Sequence, residues 1–262
     1  MPEQKVRTEL DGGVLTIILD DDANRNALST TLMAQFGDAV QRANSDAAVR
    51  VVVVTNSGRV FCAGADLSER TAEGERPSAD LGAFFRLVTT SPKPFVGRIA
   101  GHAVAGGLGL AAAMDLSVGL VDAKFGFTEV RIGVAPAVIS VMCLPKMRRA
   151  DAASALLRGN RFDGTEAARL GLINQAVEPG SLDEATGAIV DDLLRGGPNA
   201  LDATKSLLSR VPQLPTDEAF TWTAELSARL FDAPEAQEGM TAYLEKRDPS
   251  WIGQAGTGAG TP

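Results

Sequence analysis

Short apolar, β-branched runs alternate with segments of helical spacing through the first half of the chain, and this alternation predicts repeated strand–turn–helix passages. Val14 to Leu19 reads as a strand ending in Asp20-Asp21-Asp22, with a loop continuing through Asn24-Arg25-Asn26. Ser29 is placed to cap a helix that carries Leu32, Phe36, Ala39, Val40 and Ala43 on one face. Arg50 to Thr55 is apolar without alternation, which predicts a strand covered on both faces. Val60-Phe61-Cys62 leads into the small-residue turn Ala63-Gly64-Ala65, after which Asp66 can cap a helix. Glu69 to Pro77 is polar and reads as a mobile surface loop, followed by a helix containing Leu81, Phe84, Phe85 and Val88.

Ser91-Pro92-Lys93-Pro94 stops that helix, because proline cannot donate and biases the residue before it toward extended backbone. Phe95 to Ile99 is the next strand, and Gly101 to Asp115, rich in glycine and alanine, reads as a turn opening a tightly packed helix. Leu116 to Val121 reads as a further strand. The second half is largely helical: 138–147, 150–157, and amphipathic stretches around 200–209, 217–231 and 235–246, with capping patterns at Asp163 to Glu166 and Ser181 to Glu184. Only Ala176-Val177 suggests another strand there. The expected organisation is α/β: a strand-rich core over 1–194, a helical part over 195–252 and a glycine-rich disordered tail over 253–262.

Composition narrows the partners. With 262 residues, 45% hydrophobic and 22% charged, the chain can bury one large core. A net charge of -8 supplies no global field for nucleic acid or an anionic membrane, so neither is an expected partner. Two cysteines and one histidine give neither a disulfide framework nor a metal-ligand spacing, and no metal is expected. The N-terminus lacks an apolar signal core, and no apolar stretch approaches the ~20 residues that cross a bilayer. The expectation is a soluble, unprocessed, cytoplasmic protein.

Candidate chemistry sits at two glycine-rich turns. Phe61-Cys62-Ala63-Gly64-Ala65-Asp66-Leu67 and Ala105-Gly106-Gly107-Leu108-Gly109 each leave backbone N–H groups unobstructed where a strand passes into a helix. The second turn lacks dinucleotide spacing, and no P-loop lysine follows it. Glu129 lies in the otherwise apolar stretch Phe125-Gly126-Phe127-Thr128-Glu129-Val130, and apolar surroundings raise a carboxyl pKa toward the range of general acid–base work. An exposed carboxylate paired with Arg131 is the plainer alternative.

Together with Asn26-Ala27-Leu28 and Gly101 to Asp115, these motifs make the chain resemble the crotonase (enoyl-CoA hydratase/isomerase) superfamily from about Val14 to Arg247. The resemblance implies a crotonase-like (ClpP/crotonase) spiral of ββα units with a helical C-terminal trimerisation region, assembled as a homotrimer or dimer of trimers. It implies an acyl-CoA substrate whose thioester oxygen lies between the backbone N–H groups of Ala65 and Gly106, with Glu129 moving protons. Coenzyme A is then part of the substrate and no separate cofactor is expected. Ala27, Ala63, Asp66, Leu67 and Ser68 fall where the family lines its substrate site, and Lys246 falls on the closing helix whose basic residues approach the nucleotide. Phe220, Trp222, Leu226, Leu230 and Phe231 are candidates for the subunit interface.

One departure matters. Hydratases of the family carry a second glutamate three residues after the oxyanion-hole glycine, where this chain has Gly109. Ala137 likewise replaces the functional aspartate of related dienoyl-CoA isomerases and dehalogenases, and Val134 to Ser140 makes a bulkier wall than the family's glycine-rich run. Enoyl-CoA hydratase is the best single name. A Δ3,Δ2-enoyl-CoA isomerase using Glu129 alone and a non-catalytic acyl-CoA binding protein are the alternatives. If the missing carboxylate limits hydration, Gly109→Glu is expected to raise it. His102 and Cys62 are expected to be structural.

Overall fold

The strand–turn–helix passages are present in the computed structural model, which describes residues 3–71 and 80–252. Most of the expected surface loop and the expected tail lie outside the described residues. The first elements are β1 (Val6–Asp11), β2 (Val14–Leu19), α1 (Thr30–Ser45), β3 (Val51–Asn56), β4 (Val60–Cys62), α2 (Leu67–Thr71) and α3 (Leu81–Thr89). Next come β5 (Phe95–Ile99), β6 (His102–Val104), α4 (Gly106–Ala113), β7 (Leu116–Leu120) and β8 (Phe125–Gly126). The chain ends through α5 (Ser140–Cys143), α6 (Arg149–Arg158), β9 (Arg161–Phe162), α7 (Gly164–Arg169), β10 (Gln175–Val177), α8 (Leu182–Arg195), α9 (Pro198–Arg210), α10 (Thr216–Asp232) and α11 (Pro234–Glu245).

The strands divide between two sheets, of order β1-β2-β3-β5-β7-β10 and β4-β6-β8-β9. Each of β3, β5 and β7 in the large sheet is followed by one strand in the small sheet, β4, β6 or β8, and then by helix. Every turn therefore advances one place in both sheets, which is the spiral of ββα units that the resemblance implies. All the neighbours in this spiral pair parallel, whereas β1 and β9 pair antiparallel with β2 and β8. Strand β3 is buried at every residue, as its unbroken apolar run predicts.

Local chemistry accounts for the helix starts. Ser29 Oγ accepts the Leu32 N–H, and Asp163 Oδ1 accepts the Glu166 N–H, so both expected caps are made. Ser181 differs from expectation: it closes a 3-10 turn at Pro179–Ser181 and its side chain caps nothing, while the helix still begins at Leu182. The helix expected over 138–147 is broken into α5 and a 3-10 turn at Leu144–Lys146, because Pro145 has no N–H to continue the ladder. Strands β6, β8 and β9 are only two or three residues long and had no periodicity to reveal them.

Helix α4 is buried at all eight of its residues and forms the centre of the spiral. Glycine makes that depth possible. A methyl group at Gly107 would fall inside van der Waals contact with the Cys62 carbonyl. The C-terminal helices attach through polar locks: buried Arg50 donates to Trp251 O (2.8 Å) and Gly196 O (2.7 Å), and Lys205 Nζ bonds Asp115 Oδ2 at 2.7 Å. Helices α9 and α10 contribute no buried residue to the chain. No helix among the described residues is long and apolar enough to cross a membrane. Gly107→Ala is expected to destabilise the protein by about 3 kcal/mol, the upper end of overpacking costs, read as a lower urea midpoint at unchanged slope.

Candidate active site

The two glycine-rich turns meet at the ends of neighbouring strands. β4 pairs with β6, so the turn after Cys62 and the turn after Val104 lie side by side. The first is also tied to the loop ahead of α1: Leu28 N donates to Gly64 O (2.8 Å), Ala63 N donates to Arg25 O (3.1 Å), and Leu28 bridges Ala65. That loop is held from inside by buried Asn26, whose Oδ1 accepts Asp21 N and whose Nδ2 donates to Val60 O at 2.8 Å. Ala27 is buried in the same loop.

Each turn contains one residue with left-handed φ, and in each case it immediately precedes the amide singled out from sequence. Gly64, at φ 92°, precedes Ala65, and Ala105, at φ 51° and ψ −126°, precedes Gly106. A β-carbon makes this backbone costly at Ala105, by about 1–3 kcal/mol, and the surrounding ladder must hold it. It does so in part through Ala105 N, which donates to Gly126 O at 2.9 Å. The turns are in close contact. A methyl group at Gly64 would lie 3.0 Å from Gly106 N, and one at Gly106 would lie 3.5 Å from Ala65 N. Among the described residues neither the Ala65 N–H nor the Gly106 N–H has an acceptor.

Both amides line a cavity of about 950 Å3, together with Ala63, Leu67 and Glu129. The longest continuous stretch of the remaining wall, Val134 to Ile139, is apolar, as the bulkier segment had suggested. Glu129 opens a 3-10 turn at Glu129–Ile132, immediately after β8 and Phe127-Thr128. It is half-buried, and its Oε2 is shielded from solvent with no hydrogen-bond partner among the described residues. Burial pushes its carboxyl above the ordinary range, slightly offset by its own backbone N–H. Arg131 does not neutralise it; its Nε donates to Gly159 O at 2.8 Å and its Nη2 to Arg158 O at 3.3 Å. The plainer reading of Glu129 as an exposed, arginine-paired carboxylate is therefore set aside.

The other sequence candidates are distributed around this centre. Asp66 lies just outside the cavity lining, where its Oδ1 accepts the Ser68 N–H (2.9 Å) and hydroxyl (2.6 Å) and its Oδ2 accepts Asn24 Nδ2 (2.7 Å). The Ser68 hydroxyl chiefly holds its carboxyl below the usual range, consistent with capping. Lys246 is exposed at the end of α11, in left-handed backbone, and is not among the cavity-lining residues. His102 is engaged through Nδ1, which accepts Lys124 N at 3.0 Å, and burial lowers its pKa. Burial pushes the thiols of Cys62 and Cys143 up to about 12, so neither supplies a thiolate.

Sequence reading placed Ile139 in the bulkier wall but missed its packing against Gly109, and it missed Asn160-Arg161. Ile139 is buried, lines the cavity, and fills the space beside Gly109: a β-carbon there would lie 2.8 Å from Ile139 Cβ and 3.2 Å from Phe85 Cζ. The place where hydratases of the family carry a second glutamate is thus occupied by a hydrocarbon side chain from thirty residues downstream. Asn160 and Arg161 reach the cavity because β9 pairs with β8, a pairing too short to be visible in sequence.

The family model described as Enoyl-CoA hydratase/isomerase matches residues 9–254. The carnitinyl-CoA dehydratase of Proteus mirabilis is 33% identical over 253 residues, covering 93% of this chain and 96% of its own length. The crotonyl-CoA hydratase of Syntrophomonas wolfei is 32% identical over 233 residues, covering 87% and 90%. Among solved structures, the enoyl-CoA hydratase of Mycobacterium smegmatis superposes with a TM-score of 0.89 at 31% identity, covering 95% of this chain and 99% of its own.

The raised carboxyl of Glu129 has a consequence for stability. The folded state binds the Glu129 proton more tightly than the unfolded chain, so stability falls as pH rises from 4.5 through the folded pKa. Glu129→Gln, which cannot ionise, is expected to gain stability relative to wild type across that interval and to hold the gain at higher pH. Chemical denaturation of the two proteins at a series of pH values measures it; a constant difference would show that Glu129 is not desolvated.

Proposed function

Because the chain belongs to the enoyl-CoA hydratase/isomerase family, we propose that it binds an acyl-CoA thioester, places the carbonyl oxygen between the Ala65 and Gly106 N–H groups, and uses Glu129 as its proton-transfer group. The observation that carries this reading is the convergence of two acceptor-free amides and one desolvated carboxyl on a single apolar cavity. Removal of a proton at Cα, or addition of a nucleophile at Cβ, moves negative charge onto the thioester oxygen as an enolate. N–H donors fixed at that position stabilise it by about 3–4 kcal/mol each, because they need no reorganisation as charge develops.

Hydration proceeds with Glu129 taking a proton from water as its oxygen bonds to Cβ, the enolate forming at the thioester; the same proton then passes from Glu129 to Cα. A raised pKa suits both halves, since the group must accept and return the proton near neutrality. A second reading, the shift of a β,γ double bond to α,β, is favoured by one observation: Ile139 fills the position of a second carboxylate, leaving Glu129 as the carboxylate among the described cavity-lining residues. Shuttling one proton between two carbons needs only one such group.

On this reading Ala27, Ala63 and the backbone from Ala65 through Asp66, Leu67 and Ser68 receive the coenzyme A arm, and Lys246 approaches its nucleotide. Coenzyme A belongs to the substrate. A homotrimer or dimer of trimers would cover α9 and α10, none of whose side chains is fully buried within one chain; Phe220 and Phe231 are exposed and Trp222, Leu226 and Leu230 half-buried.

Glu129→Gln is expected to lower kcat by roughly a hundred- to ten-thousand-fold with little change in KM, for water addition to crotonyl-CoA and for double-bond shift of a 3-enoyl-CoA. Binding without turnover by wild type would replace the catalytic reading with that of an acyl-CoA binding protein. The expectation for Gly109→Glu is revised by the structure. Alone, the new side chain must displace Ile139 and is expected to destabilise the protein without raising hydration, whereas Gly109→Glu with Ile139→Ala makes room and is expected to raise it. Steady-state hydration rates and thermal melts of both variants measure the difference.

A further inference from the structure

Polar groups are unevenly spread around the cavity, and the small sheet explains their order. The carboxyl ends of β4, β6 and β8 and the amino end of β9 lie in a row, because β9 runs antiparallel to β8 with Gly126 opposite Arg161. Ala63 and Ala65 follow β4, Ala105 and Gly106 follow β6, Thr128 and Glu129 follow β8, and Asn160 and Arg161 open β9. All of these line the cavity. The site thus extends across four strand ends, with the paired amides toward one edge and Arg161 at the other. Two strand spacings separate β6 from β9, about 10 Å across the sheet.

The charge at the far end is opposite to that of the protein. The chain carries a net charge of -8, yet the charged side chains lining the cavity among the described residues are Glu129, Arg131 and Arg161. Glu129 is biased toward its neutral form by burial. Arg131 is spent on the carbonyls of Arg158 and Gly159, which fixes the segment leading into β9. Arg161 is exposed and has no hydrogen bond or ion pair from its side chain among the described residues. Beside it, Asn160 Oδ1 is buried without a partner. An apolar wall from Val134 to Ile139 completes the lining.

We propose that Arg161 receives an anionic group at the far end of the acyl chain, so that the preferred substrates are acyl-CoA thioesters whose chain ends in a second carboxylate. The inference rests on the acyl-CoA reading given above. An oxygen seated at Ala65 and Gly106 leaves a span toward β9 that a short acyl chain and an arginine stem bridge together, and a guanidinium matches a carboxylate with two parallel N–H···O bonds. A phosphate of coenzyme A is the other anion a guanidinium could hold, and it differs in being common to every acyl-CoA.

Calorimetric titration with two saturated probes, glutaryl-CoA and butyryl-CoA, separates these cases in wild type, Arg161→Gln and Arg161→Lys. Wild type is expected to bind glutaryl-CoA about tenfold more tightly than butyryl-CoA. Arg161→Gln should erase the preference by weakening glutaryl-CoA alone, and Arg161→Lys should retain part of it. Equal weakening of both probes would assign Arg161 to coenzyme A and overturn the proposal, as would no change in either or a wild-type preference for butyryl-CoA. Failure of wild type to bind either probe would instead overturn the acyl-CoA reading itself. Thermal melts accompany each variant, so that a folding defect is separated from lost recognition.

Discussion

The contact between two backbone turns organises this protein. Gly64 and Ala105 both adopt left-handed φ, and their turns approach so closely that an added methyl at Gly64 would lie 3.0 Å from the next turn's amide nitrogen. Such an approach requires small residues along both turns, because a side chain larger than a methyl group at the contact would separate them. It also requires helix α4 to lie deep in the spiral, which Gly107 permits by leaving room for the Cys62 carbonyl. The proposed oxyanion site is thus a consequence of packing: the strand pairing of β4 with β6 sets the distance, and the left-handed residues before Ala65 and Gly106 set the direction of the amides.

The surroundings of that contact determine what a proton-transfer group there can do. Glu129 shares its cavity with the apolar wall from Val134 to Ile139, and burial raises its carboxyl above the ordinary range. Ile139 has a second effect, since it occupies the volume beside Gly109 in which another acid would stand. Gly109 and Ile139, thirty residues apart in the chain, thus share one volume, and that volume is filled by hydrocarbon. Among the described lining residues, the site then holds one carboxyl, Glu129, and two arginines, Arg131 and Arg161.

Attachment of the C-terminal helices follows a different logic. Their connection to the spiral uses charged side chains reaching backbone carbonyls and one carboxylate, as with Arg50 to Gly196 and Trp251 and Lys205 to Asp115. Buried donors of this kind fix orientation, because a shifted helix would strand a desolvated charge. Apolar side chains on α10 remain uncovered, so the same helices are held to their own core by polar locks while offering hydrocarbon outward.

The sequence by itself determined the elements whose burial is complete or whose periodicity is long: β2, β3, β5, β7, α1 and α3 were legible because their side chains obey the period of the backbone. It also marked the two small-residue turns and the carboxyl of Glu129 among apolar neighbours, which are local signals, while the choice of Ala65, Gly106 and Glu129 as site residues came from the family resemblance. Tertiary structure alone decided the rest. The short strands β6, β8 and β9 exist only through their partners, so the row of strand ends that brings Arg161 to the cavity could not be read from spacing. The left-handed backbone of Ala105 was hidden behind an ordinary alanine, and the filling of Gly109's space by Ile139 is a contact between residues that the linear chain keeps thirty positions apart. Local patterns encode what a residue does within its own element; which distant side chain takes up the space beside it is settled only when the elements pack.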